Sequence, residues 1–189
     1  MTSRATVEGD DRIRLFLALE LPEDVTTELV RWGKQHLTGG RAVERFHVTL
    51  AFLGAQRRSG LRAIADVLRG ESSATEPFVL EPVRYRETRS VGMVVLADPS
   101  GRATSLAGRI HARLQKIGVY EPERRPWLPH VTVLRFRERP RLDPPLPEIG
   151  SFAPSGTAAL LSRLHPSGAS YELLESCRLA VSTNRMPGG

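Results

Sequence analysis

Cysteine is almost missing from this chain: of 189 residues only Cys177 is one, which excludes an internal disulfide and any cysteine-based zinc cage. Side-chain packing must therefore hold the fold. No apolar run approaches the ~18–20 residues of a membrane span, and the first twenty residues carry acids and arginines where a signal peptide needs an apolar segment. A cytoplasmic protein with no membrane partner is the expectation. Lysine is scarce too, with Lys34 and Lys116 the only two among 27 basic residues. The arginine excess, net +6, suits bidentate phosphate contact, but a coding bias toward arginine accounts for it as well, so charge alone decides nothing. Hydrophobic residues at 40% and charged residues at 25% exclude collagen-like, wholly disordered and coiled-coil chains.

The pattern along the chain predicts a mixed α+β domain. Residues 1–11 read as a flexible leader and 184–189 as a flexible tail around a single domain, 12–183. A short apolar run, Arg14 to Glu20, stops at Leu21-Pro22 and suits a buried strand. A helix is expected from Pro22 to about Leu37, with acids in its first turn and Gly39-Gly40 after it. Phe46–Leu53 is strand-like, and 57–69 helical with Gly70 as its stop. The second half repeats the theme: strands near 78–86 and 92–97, a helix from about Thr104 to Ile117, and a strand from His130 to Phe136. Two closing strands, near 151–163 and 171–181, flank the turn cluster His165-Pro-Ser-Gly168. The Pro140–Pro147 segment reads as a surface loop.

Two of the five histidines share one context: His47-Val48-Thr49-Leu50 and His130-Val131-Thr132-Val133. With 12 threonines in the chain, composition predicts about 0.3 His-x-Thr pairs. On a strand, positions i and i+2 face one side, so each His projects with its Thr while the intervening valine points into the core. Two imidazoles can serve as base and acid at one pH. Threonine hydroxyls and an arginine can hold a phosphate as charge builds on it. The pattern alone also allows core histidines beside strand-favouring threonines, metal ligands, or an RNA-binding face without catalysis. With no carboxylate near either motif the metal reading is poor, and no metal or cofactor is expected.

These residues resemble the bacterial RNA 2′,3′-cyclic phosphodiesterases, the LigT-like or 2′-5′ RNA ligase proteins of the two-histidine (2H) phosphoesterase superfamily. Arg14–Pro22 is similar to the family's opening strand and turn, Phe46–Gly54 to its first motif, Pro129–Arg135 to its second, and Leu160–Tyr171, with Ser162 and Gly168, to its closing hairpin. The resemblance implies a bilobal α+β fold, two pseudo-symmetric lobes of antiparallel-rich sheet flanked by helices around a central cleft. It implies hydrolysis of RNA 2′,3′-cyclic phosphate ends to 2′-phosphates. His47 would be the acid and His130 the base, with Thr49 and Thr132 on the phosphate; a monomer is the expected state of the chain. Arg135 would be a further phosphate contact, although an ideal strand turns it away from His130, five residues being an odd step. It must lie past the strand's end, at a bulge, or reach around. Phe16 matches a family aromatic that can stack on the terminal base, with a core phenylalanine as its other reading. The partners implied are RNA ends or nucleotides bearing a 2′,3′-cyclic phosphate. The ligase direction, a small-nucleotide phosphodiesterase and a non-catalytic RNA-binding module stay open.

The remaining candidates read as structural. His111 is mid-helix, His36 and His165 fall at a helix end and a turn, and Cys177 suits a small buried hydrophobe. Trp32 and Trp127 are apolar anchors, Trp127 near enough to His130 to flank a cleft. Arg124 and Arg125 suit a solvated loop. Gly101-Arg-Ala-Thr104 lacks the Gly-Lys-Ser/Thr ending of a phosphate loop.

Overall fold

The strand β1 spans Arg12–Glu20, and residues 15–19 along it are all buried because both faces of the strand are covered. Leu15, Leu17 and Leu19 join the main core, while Phe16 and Ala18 point to the opposite face. The computed structural model describes residues 12–43, 45–165 and 168–180; the expected leader and tail lie outside them. Pro22 starts the helix α1, Glu23–His36, with Glu23 and Asp24 in the first turn and Lys34 in the last, charges placed to favour the helix dipole. Val25, Leu29 and Trp32 form its buried stripe. Trp32 Nε1 donates to the Pro145 carbonyl at 2.8 Å, tying the proline-rich loop to the helix.

The other elements follow the expected order: β2 (Arg41–Ala42), β3 (His47–Arg57), α2 (Leu61–Ser73), β4 (Glu81–Glu87), β5 (Val91–Ala97), α3 (Arg102–Lys116), β6 (His130–Arg135), β7 (Gly156–His165) and β8 (Gly168–Cys177). The short β2 has no counterpart in the sequence reading. The helix α2 runs past Gly70, its expected stop. Glu71 there binds Arg109 (2.7 Å) and Arg113 (2.8 Å) from α3, and Ser72 Oγ meets Thr157 Oγ1 at 2.7 Å. Those tertiary contacts outweigh the roughly 1 kcal/mol penalty of an interior glycine. The closing strands are displaced from their expected spans, since 151–155 join the fold through a Leu80–Phe152 bridge before β7 begins. His165 pairs with Gly168, so the hairpin turns where the turn cluster sits.

The strands form one eight-stranded sheet in the order β4-β5-β6-β3-β1-β7-β8, with β2 on β6, and the pairings are antiparallel. Its two halves, β4-β5-β6 and β3-β1-β7-β8, meet at one residue pair, Val48 with Val131. Buried residues of all three helices share the main core with Leu17, Val48, Val94 and Val131, so the helices cover one face. The histidines lie on the other. Gly92 is required by close approach, because any side chain there would collide with the Tyr85 hydroxyl. Glu87, with its side chain 1% exposed, accepts hydrogen bonds from Tyr85 Oη, Arg139 Nε and the backbone N–H groups of Arg141 and Leu142, which fixes the start of the proline-rich loop.

Candidate active site

The strands β3 and β6 carry the two His-x-Thr motifs side by side. In both, the His and Thr are half-buried and the valine between them is fully buried, as a period of two requires. Extending the Val48–Val131 register one residue each way sets His47 across from Thr132 and Thr49 across from His130. The two motifs are thus related by a local twofold between the strands, and each imidazole lies beside the other motif's threonine.

The odd spacing of Arg135 is resolved by a bulge. Against β5, Thr132 pairs with Met93 but Leu134 with Gly92, leaving Val133 as an extra residue. One extra residue reverses the alternation beyond it, so Arg135 returns to the face of His130. The same device occurs in β3, where Thr49 pairs with Ala18 but Ala51 with Leu17, and Leu50 is the extra residue. It returns Phe52 to the face of His47. Phe52, 61% exposed, is therefore the counterpart of Arg135, and the signal was in the sequence: each stands five residues after its histidine.

Each ring has a backbone partner two residues upstream. His130 Nδ1 lies 2.8 Å from the carbonyl of Leu128, two residues upstream. His47 likewise bonds the carbonyl of Arg45, two residues upstream. A carbonyl can only accept, so Nδ1 of His130 carries its proton there and Nε2 is left for chemistry. Arg45 in turn donates from Nη1 to the Tyr171 carbonyl at 2.8 Å, tying the approach to β3 to the final hairpin. Trp127 donates from Nε1 to the Thr49 carbonyl at 2.9 Å, joining the segment before β6 to β3. A cavity of about 280 Å³ opens beside His130 and Thr49, lined also by Phe52, Arg125 and Trp127. Trp127 thus flanks the site, and Arg125 faces this cavity rather than only solvent.

The surroundings of His47 are apolar. Its ring centroid lies 4.9 Å from that of Phe16 and 5.5 Å from that of Tyr171, the latter edge-on. Burial among these rings, with smaller repulsions from Arg135 and His130 working against the Arg45 hydrogen bond, pushes its pKa down to about 4. Glu20, the register partner of His47, directs its carboxylate to Ser176 Oγ at 2.6 Å. Of the two readings of Phe16, its burial at 2% exposure fits the core phenylalanine, with no open face for a base. Its ring, sandwiched by His47, Phe52 (5.7 Å) and Tyr171 (5.1 Å), supports the imidazole instead.

His111 bonds the Leu50 carbonyl at 2.7 Å and stacks on Tyr120, so it packs α3 against β3. Cys177 is half-buried rather than fully so. Among the described residues no three His, Cys, Asp or Glu side chains gather as a metal site, and no helix is long and apolar enough to cross a membrane.

A profile of the 2′-5′ RNA ligase superfamily matches residues 21–169, most of the chain and both histidine motifs. The chain belongs to that superfamily. Its sheet and cleft are the 2H phosphoesterase, LigT-like fold. The crystal structure of Escherichia coli LigT complexed with 3′-AMP superposes with a TM-score of 0.78 at 22% identity, over 90% of this chain and 99% of that one. That of TT0787 of Thermus thermophilus gives 0.74 at 25% identity, over 88% and 98%. In sequence, the RNA 2′,3′-cyclic phosphodiesterase of E. coli K12 is 29% identical over 132 residues, 65% of this chain and 71% of that protein. The superfamily profile and the name of this relative support a phosphodiesterase enzyme.

Proposed function

We propose that this protein hydrolyses 2′,3′-cyclic phosphates at RNA ends to 2′-phosphates, with His47 and His130 as a metal-independent acid–base pair. The observation that carries this reading is the local twofold: two imidazoles, each held by the carbonyl two residues upstream, on adjacent strands of one open sheet face with Arg135. His130 Nε2 takes a proton from water, whose oxygen bonds to phosphorus in line with O3′. The P–O3′ bond breaks, its electron pair leaves on O3′, and His47 delivers a proton there. Thr49 and Thr132 donate to the non-bridging oxygens, and Arg135 neutralises the charge that develops on them.

In the free site His47 is neutral above about pH 4. The proton it delivers is therefore acquired as the substrate's anion enters, whose charge favours the imidazolium against the burial, and the smaller repulsion from Arg135, that hold the free ring neutral. The consequence is kinetic. The limb belonging to His47 should lie at a higher pH in kcat, which reports the bound state, than in kcat/KM, which reports the free one.

The test is end-group analysis of a defined RNA bearing a 2′,3′-cyclic phosphate. Release of 2′-phosphate ends in the presence of EDTA is the expected result. A 3′-phosphate product, or activity abolished by chelation, refutes the reading. Joining of cyclic ends to excess 5′-hydroxyl RNA at a rate above hydrolysis would give the ligase direction instead. Binding without turnover, unchanged by H47A or H130A, would give an RNA-binding module.

A further inference from the structure

The two halves of the cleft face differ in chemistry although their strands are related by the local twofold. On the β3-β1-β7-β8 half, the position matching Arg135 is Phe52, and the neighbours are Phe16, Tyr171 and Leu173, the last 51% exposed. On the β6-β5-β4 half the face is arginine-rich. Arg41 on β2 pairs in register with Arg135 on β6. Further out, Val95 pairs with His130 on one side and Arg84 on the other, and Met93 pairs with Thr132 and Arg86 in the same way. Directly opposed residues share a face, so Arg84 and Arg86 stand on the histidine side, each in line with one residue of the second motif. Tyr85 between them packs against the core on the other side.

Arg84 and Arg86 are exposed, and neither side chain has an ion pair or hydrogen bond among the described residues. Several arginines on the helical side are neutralised instead, Arg109 and Arg113 by Glu71 and Arg102 by Glu76. Two strand spacings separate β4 from β6, about 10 Å, which an extended single strand covers in about two nucleotides. We infer that Arg84 and Arg86 form a backbone track for a single-stranded polynucleotide, holding phosphates upstream of the reacting end as the chain crosses β5 and β4. This deepens the reading above, since it rests on a cyclic phosphate in the cleft. It makes the substrate the end of a chain rather than a mononucleotide.

The experiment compares the R84Q/R86Q variant with wild type on an eight-nucleotide RNA with a 2′,3′-cyclic end and on a cyclic mononucleotide. A matched control, R62Q/K116Q, removes the same charge from the helical side, where both residues are exposed. The expected result is a raised KM for the oligonucleotide only, with kcat kept and the mononucleotide unaffected. Two lost phosphate contacts should flatten the dependence of log kcat/KM on log salt by about 1.4, so the defect is about sevenfold larger at about 50 mM than at about 200 mM salt. Equal loss on both substrates, no loss on the oligonucleotide, or the same loss in the control overturns the track. If wild type turns over neither substrate, the hydrolase reading fails. The track is then read by fluorescence anisotropy with the same labelled RNA, where unweakened binding by R84Q/R86Q refutes it.

Discussion

Acid should destabilise this protein through one identifiable ring. The His47 side chain sits between Phe16 and Tyr171, and its pKa falls from 6.5 to about 4 on folding. A histidine whose folded pKa is depressed contributes stability above its unfolded pKa and loses it as pH falls from about 6.5 through about 4, because only the unfolded chain then binds the proton freely. A drop of about 2.5 units amounts at pH 5 to about 2 kcal/mol, nearly all of it present at pH 7. The figure is an upper value, since the ring is half-buried and keeps some contact with water. For a chain of this size it corresponds to about 4–8 °C in Tm. The perturbation is H47Q, which removes the titration and keeps a polar side chain, and the assay is urea unfolding of both proteins at pH 7 and pH 5. Other groups titrate in both and cancel. The variant should lose about 2 kcal/mol less than wild type between the two pH values. Equal losses within about 0.5 kcal/mol would refute the argument that aromatic burial holds His47 neutral.

Two further outcomes follow from the same geometry. H47A and H130A should each lower turnover by roughly 10²–10⁴ if the rings are acid and base, and R135A, which removes a positive neighbour of His47, should raise the imidazole pKa measured by NMR; a downward shift contradicts the placement of Arg135. E87A should cost about 3 kcal/mol in urea unfolding, because it strands the backbone donors of Arg141 and Leu142 and the Arg139 guanidinium around a buried gap; a loss under about 0.5 kcal/mol would show that these groups find other partners.

Much of this was legible in the chain itself because it follows from local periodicity. A period of two decides that His47 and Thr49 share a face and that Val48 turns inward, and the same holds for His130, Val131 and Thr132. Pro22 with the acids after it determines where α1 begins, and the 165–168 cluster where the last hairpin turns. What only the tertiary structure decided depends on partners far away in sequence. The bulges at Leu50 and Val133 exist only against β1 and β5, and they alone bring Phe52 and Arg135 onto the face of the two histidines. Phe16 is sealed by rings from β3 and β8, which no local pattern around it records. The depression of His47 comes from the same convergence. Periodicity sets the side of a strand a residue occupies, whereas register and burial depend on which strand lies next to it, and that is a property of the assembled sheet.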